Sequence, residues 1–419
     1  MNNNIKLLNN LSMKKMMIAA MVLLGTSAVF AGDSEPLKAI LKAKTFAEAE
    51  SLLKTNLSQL ANAAEKAAAY NKLVDLAMDK VGKEQAVINS NQMAVQFKQG
   101  KVEAYDTLGF YNAVYNAMNN GMLGNAFDQQ PNEKGKIKPK FESSNSNRLY
   151  NIRPQLINGG QEFGKKENQA EALKYFGLYV DSSEDPLFKG IDKTKNPDQY
   201  LGEVARVAAV YAFQNKDLER ANRYCDVAMK DTAVYKEALN LKMYLMQQGL
   251  KTKTDSLQNV ETLKGIYAKD PKNEQIFATL ANMYGSLKMA SEQTQFINDK
   301  IAQDPKCFSA WALKGQNAMN ANKLDEATSS FKKALEIDGE NVVVLTYLGF
   351  TINAQAGAIS NDAAGQKKLY EESTAILEKA RSLDPNREKA NWSYPLYQCY
   401  YSLYGANDAR TKEMESLNK

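Results

Sequence analysis

The chain contains no histidine in its 419 residues. That absence removes Ser-His-Asp and Cys-His nucleophilic systems and every histidine-containing metal site. Cysteine is scarce: Cys225, Cys307 and Cys399 are the three, an odd number that leaves at least one thiol unpaired in an exported protein. An excess of one charge is also missing. Lys and Arg number 53 against 48 Asp and Glu. Lys6, Lys14 and Lys15 lie in the first 31 residues, which hold no acid, so the remainder carries 50 against 48. Such a near-neutral balance gives no reason to expect nucleic acid or an acidic membrane as partner.

Long hydrophobic runs are absent too. Met16 to Leu24 is a short apolar run, well below the ~20 residues a bilayer span needs. There is no phosphate-binding glycine loop. Gly159 and Gly160 sit in a helical pattern, where glycine permits close packing. The acidic residues are scattered, and nothing in the sequence pairs two of them as catalytic acids. Carboxylate, Lys, Tyr and Cys chemistry remains open, but no motif organises it. The expectation is a non-catalytic protein without cofactor or metal.

The N-terminus reads as an export signal. Lys14 and Lys15 form a basic region, Met16 to Leu24 the apolar run, and Gly25 to Ala31 a small apolar segment. Val29 and Ala31 occupy the positions a signal peptidase reads, so cleavage is expected after Ala31, with no transmembrane segment left. Residues 1–12 form a polar lead, with Met13 an alternative start. No cysteine follows the signal, so an N-terminal lipid anchor is not indicated.

Asp270, Asp304 and Asp338 stand 34 residues apart, and each is followed by a turn residue, Pro271, Pro305 or Gly339. A period of 34 belongs to a stacked two-helix repeat. Taking Phe308 as position 1, Trp311 is position 4, Gly315 position 8, Ala327 position 20, Phe331 position 24 and Ala334 position 27. These residues resemble the tetratricopeptide repeat, which carries Trp, Gly, Ala, a large aromatic and Ala at those positions. Lys314, Ala318 and Gly339 depart from its usual Leu, Tyr and Pro at 7, 11 and 32. The physical reading is that small residues at 8 and 20 let the two helices approach, and large ones at 4 and 24 fill the space between them.

The preceding unit starts at Glu274, with Phe277, Leu280, Ala281, Tyr284, Ile297 and Pro305 in frame and a bulky Gln293 at position 20. The following unit starts at Val342 and ends at Asp384-Pro385, 46 residues after Asp338. Twelve extra residues therefore lie within it, around Gln355 to Gln366, reading as an extended first helix or a loop, with Leu377 and Ala380 at 24 and 27. Upstream, Gly160, Phe163, Ala172 and Phe176 fit one unit, and Ala209, Ala221, Cys225 and Ala228 another. A polar loop from Asp181 to Asp198 lies between them, and residues 232–271 form a further pair. In such a stack, cysteines more than 80 positions apart are about two repeats apart. Disulfide Cα atoms must come within ~7 Å, so no internal bridge is expected, and Cys225 reads as a core thiol.

The expected fold is thus an all-α, right-handed superhelical solenoid of antiparallel helix pairs. The expected organisation is a signal peptide over 1–31, a divergent helical region over 32–127 and a polar hinge loop over 128–148. Repeats follow over 149–387, clearest at 274–341, with capping helices over 388–419. Helical spacing over Ala61 to Met78 and Val102 to Phe127 supports the second of these. The hinge contains Pro131, Gly135 and Pro139, and Lys134, Lys136, Lys138 and Lys140 alternate in it as a solvated face. Pro395 falls in the first capping helix, which should kink or start late. Tyr394, Tyr397, Tyr400, Tyr401 and Tyr404 pack on the last repeat or form a partner-binding or glycan-stacking patch.

The family resemblance implies a concave face built from positions 2, 5, 9, 12 and 13 of each first helix. In this chain those are Gln275, Ala278, Asn282, Gly285 and Ser286; then Ser309, Ala312, Gln316, Met319 and Asn320; then Val343, Thr346, Phe350 and Asn353. The groove is neutral, made of amides, small residues and a few apolar contacts. Family members that grip C-terminal carboxylates use Lys and Arg there, and positions 2 and 5 here carry neither. The resemblance implies a scaffold that binds an extended peptide or a protein of the cell envelope. The alternative is an envelope glycan- or nutrient-binding accessory of a transport system, similar in architecture to the helical-repeat receptors that serve carbohydrate transporters.

Overall fold

The computed structural model describes residues 33–132, 134–195, 197–248 and 253–419. The export signal expected over residues 1–31 lies outside them. The described residues are all-α, with nineteen α-helices, two short 3₁₀ turns and no strand among them. They form two compact units that divide at 248/249.

The first unit contains α1 (Glu35–Lys42), α2 (Phe46–Asn56), α3 (Ala63–Phe97), α4 (Thr107–Asp128), α5 (Glu142–Ile152), α6 (Gln155–Lys165), α7 (Gln169–Ser182), α8 (Leu201–Gln214), α9 (Leu218–Ala228) and α10 (Tyr235–Gln248). The second contains α11 (Lys253–Lys269), α12 (Glu274–Ser286), α13 (Ala290–Gln303), α14 (Phe308–Asn320), α15 (Leu324–Ile337), α16 (Val342–Ala358), α17 (Ala363–Leu383), α18 (Ser393–Tyr404) and α19 (Ala409–Leu417). Within each unit, consecutive helices pack on one another as antiparallel pairs.

Helix starts follow from Asn and Asp. Asn62, Asp106, Asn168, Asp217, Asn273, Asn341 and Asp362 each accept a backbone N–H of the first turn they precede. The 34-spaced aspartates act at the other end. The N–H of Asp304 bonds to the carbonyl of Lys300, and that of Asp338 to Ala334, closing one helix. Their own carbonyls then accept from Cys307 and Asn341, opening the turn into the next.

The turn inside each repeat was not visible in the sequence. Glu167, Lys216, Lys288 and Asn322 all adopt the left-handed region, with φ of 57°, 62°, 60° and 56°. Each is position 15 of its unit. The N–H of the next residue reaches back to a carbonyl five residues earlier: Asn168 to Phe163, Asp217 to Ala212, Met289 to Tyr284 and Lys323 to Ala318. This is a Schellman ending, which usually carries glycine; here none of the four residues is glycine.

The contact between positions 8 and 24 sets the depth of each pair. A Cβ added to Gly160 would lie 2.5 Å from the ring of Phe176, and one on Gly315 2.6 Å from that of Phe331. On Gly349 it would lie 2.5 Å from Leu377, so the same contact survives the insertion. The twelve extra residues, expected in the first helix or a loop, lengthen both helices. α16 has 17 residues and α17 has 21, against 13 and 14 in the unit before.

Two segments differ from expectation. α3 runs to Phe97, far past Met78, yet its buried residues end at Val81. Beyond Val81, Ile88 packs part-buried against the core, and good helix formers such as Lys, Glu, Gln, Ala and Met carry much of the rest. Residues 142–148, expected in the polar hinge, are the first turns of α5. The Asp128 carboxylate accepts the N–H groups of Lys140, Phe141 and Glu142 at 2.9, 2.7 and 3.1 Å. α5 then meets α3 through polar side chains, Asn145 bonding Asn71 and Arg148 pairing with Asp75. An interface of amides and charges leaves no apolar period to read.

The polar loop ending at Asp198 is anchored in the same way. Arg153, 3% exposed, pairs with Asp198 at 2.6 Å, bonds the Ser182 hydroxyl and the Tyr179 carbonyl, and lies 3.8 Å over the Tyr179 ring. α18 starts late, with Pro395 in its first turn, where a missing N–H costs nothing. All three cysteines are buried free thiols.

Candidate functional site

In the second unit the first helices touch directly, α12 to α14, α14 to α16 and α16 to α18. They carry the fourteen residues expected to line the groove. Gln275, Asn282, Asn320 and Phe350 are exposed. Ala278 and Met319 are half-buried and pack against the core. Ser309 and Gln316 are half-buried, and the Ser309 N–H bonds the Glu274 carboxylate at 2.9 Å. The Thr346 hydroxyl donates to the Val342 carbonyl of its own helix at 2.8 Å.

Asn353 departs most from a groove role. It is 6% exposed. Its amide nitrogen donates to the Pro395 carbonyl at 2.8 Å and to the Gln398 side-chain oxygen at 3.2 Å. Its oxygen accepts the Cys399 thiol at 3.0 Å. It fastens α16 to α18. Burial pushes the Cys399 thiol up, so it is a neutral donor here.

Phe350 and Asn353 do meet in one place, a cleft of about 420 Å³. Ala354 and Gly357 continue their face of α16, Tyr370 comes from α17, and Tyr397, Gln398, Tyr401 and Ser402 come from α18. The other twelve expected residues lie outside it. Tyr397 and Tyr401, one helical turn apart, hold their ring centroids 5.9 Å apart at 41°. No lining side chain is charged.

The tyrosine run divides between rings held by charged neighbours and rings that line the cleft. Tyr400 is buried, with its hydroxyl on Glu378, and the Arg410 guanidinium covers Tyr404 at 3.5 Å. Tyr397 and Tyr401 face the cleft. The sequence reading missed Tyr370, Ala354, Gly357, Gln398 and Ser402. The spacing of 350, 354 and 357 along one helix face was a usable signal for two of them. Among the described residues no group of three or more His, Cys, Asp or Glu could hold a metal ion. No helix there is long and apolar enough to cross a membrane.

No family model matches the chain. Over 151 residues it is 24% identical to the formate-dependent nitrite reductase complex subunit NrfG of Escherichia coli O157:H7, spanning 33% of this chain and 72% of that protein. Among solved structures it is similar to a tetratricopeptide repeat protein from Parabacteroides merdae ATCC 43184, at 12% identity and a TM-score of 0.33, over 59% of this chain and 99% of that one. It is also similar to the human IFIT1 dimer with PPP-AAAA, at 15% identity and a TM-score of 0.36, over 81% and 71% of the two chains. These are distant, low-identity resemblances to helical-repeat proteins.

Proposed function

We propose that this chain is an exported, non-catalytic helical-repeat scaffold of the tetratricopeptide type. It binds a protein or an extended peptide in the periplasm or cell envelope. The observation that carries the reading is the uncharged first-helix face of the second unit, where exposed Gln275, Asn282 and Asn320 lead to the aromatic cleft at Phe350. Exposed side-chain amides bond the carbonyl and N–H groups of an extended backbone without demanding a charge from it. The basic, apolar and small segments before Ala31 support export.

Gentle crosslinking of the native envelope fraction, followed by affinity mass spectrometry, tests the reading. Reproducible protein partners that are lost in the Asn282→Ala, Gln316→Ala double variant are the expected result. Unchanged recovery of every partner removes the first-helix face from the reading, and an unprocessed cytosolic protein on cell fractionation removes export. A second reading, a glycan-binding accessory of a transport system, draws on the exposed Tyr401 ring in the cleft. Calorimetric binding of soluble glycans with no protein partner would favour it.

A further inference from the structure

Residues 129–141, between α4 and α5, hold four lysines, Lys134, Lys136, Lys138 and Lys140, against one acid, Glu133. The near-neutral balance of the whole chain therefore hides a local excess. Two residues of backbone span no more than ~7 Å, inside the ~8 Å over which charges act at physiological salt, so neighbouring lysines repel one another. The rest of the chain does not neutralise them. Among the described residues none of the four ammonium groups has an ion pair or a hydrogen bond, and only that of Lys140 meets a neighbour, 5.3 Å from the centre of the Phe141 ring. All four residues are exposed.

The loop is nonetheless fixed. The Asn132 side-chain oxygen accepts the N–H groups of Lys134 and Lys136 at 3.0 and 3.1 Å, and the Asn132 N–H donates to the Lys136 carbonyl at 3.0 Å. Gly135, at φ 68°, donates to the Asn132 carbonyl at 2.8 Å and turns the chain. At the other end the Asp128 carboxylate holds the Lys140 N–H, and Pro139 biases Lys138 towards extended backbone. Between these anchors stands Ile137, 59% exposed. Like charges and an exposed isoleucine are thus held in place before any partner arrives, which lowers the ordering cost of binding.

The partner that suits both features is an anionic lipid surface. Each lysine near such a surface strengthens binding about fivefold, and the acyl boundary takes an apolar side chain out of water. A soluble polyanion would satisfy the lysines alone. A nucleic acid would also use an exposed ring to stack its bases, and the one aromatic residue of the loop, Phe141, is half-buried beside Lys140.

We propose that the 129–141 loop docks the first unit on a membrane surface rich in anionic phospholipid, with Lys134, Lys136, Lys138 and Lys140 at the headgroups and Ile137 inserted among them. The proposal is independent of what the second unit binds.

The test is cosedimentation of the processed chain, which begins after Ala31 and so lacks the N-terminal apolar run, with vesicles of phosphatidylglycerol and phosphatidylcholine in equal parts, beside vesicles of phosphatidylcholine alone. Binding to the mixed vesicles only, lost at high salt, is expected. Lys136→Gln with Lys138→Gln should weaken it by about 25-fold, fivefold for each charge. Ile137→Ser should weaken it by at least about fivefold, part of the gain from burying an isoleucine. Lys389→Gln with Lys412→Gln, at exposed positions of the second unit, removes the same charge elsewhere and should change binding by less than about twofold. All of these positions are exposed, and an unchanged circular dichroism spectrum checks that the fold is kept. Equal binding to neutral vesicles, indifference to the Lys136 and Lys138 changes, or an equal loss in the control pair would overturn the proposal. A loss with the lysine changes but none with Ile137→Ser would assign the loop to a soluble polyanion and overturn the lipid surface.

Discussion

In the repeat that begins at Phe308, helices of 13 and 14 residues cross where Gly315 meets Phe331; in the next, helices of 17 and 21 residues cross where Gly349 meets Leu377. The separation along the chain rises from 16 residues to 28, yet the close contact is the same. What fixes the register of a pair is the small residue against the large one, not the length of helix beyond it. Position 12 shows what the longer pair does differently. In the first repeat it is Met319, packed into the core; in the second it is Asn353, whose amide ties α16 to α18. The added length of α16 then supplies Gly357 to the cleft wall.

The sharpest contrast lies with the thiols. Burial pushes Cys307, at the turn before the regular repeat, up to about 11 and Cys225 up to about 12. Cys399 behind the longer repeat is raised as well, by burial against its hydrogen bonds. A thiol at about 11 is roughly 10⁻³ ionised at pH 8, so alkylation should run at least roughly two orders of magnitude slower than in the unfolded chain. Alkylation kinetics read by mass spectrometry check this; native-state labelling at the unfolded rate at any one cysteine would break its assignment to the core.

Next in size is the crossing itself. Gly315→Val should destabilise the second unit by about 3 kcal/mol, because the Phe331 ring has no room to yield. Gly349→Val should cost less, since Leu377 has other rotamers to adopt. Urea midpoints of the two variants decide the order, and a larger loss at Gly349 would show that the longer pair is the more tightly specified. Asn353→Ala should follow at about 2 kcal/mol, because it removes the amide that bonds the Pro395 carbonyl and leaves the Cys399 thiol only the Ser373 hydroxyl. A neutral outcome would mean that the amide is not what joins α16 to α18. The smallest change runs the other way. Lys288→Gly relieves a left-handed residue and should add up to about 1 kcal/mol, with Asn322→Gly adding less because asparagine tolerates that conformation. Thermal midpoints of the pair would show whether the Schellman turns are under strain.

Much of the second unit was legible because its signals are local. Gly315 and Phe331, the 34-spaced aspartates and the shifted Leu377 are residues whose type alone states a packing role. The internal turns were hidden because Glu167, Lys216 and Lys288 hold a conformation that their side chains do not advertise. α5 was half-hidden because Asn145 and Arg148 meet Asn71 and Asp75 rather than an apolar face. The site was legible only in outline. A single-helix pattern named Phe350, which lines the cleft, but the cleft also takes Tyr370 and Tyr401 from two further helices, and the periodicity of one helix carries no information about its neighbours. Asn353 fits the groove pattern by position and leaves it by chemistry, since Pro395 and Cys399 claim its hydrogen bonds.

The longer repeat also marks a point of growth. Four residues added to the rising helix and seven to the returning one extend the hairpin by about 6 and 10 Å at ~1.5 Å per residue, and all of it lies beyond the Gly349 crossing. It is tied back to the preceding pair, because the Gln355 amide donates to Asp325 and accepts from the Thr328 hydroxyl of α15. The tip is thus an extension braced by its neighbour, with Ala356 fully buried within it.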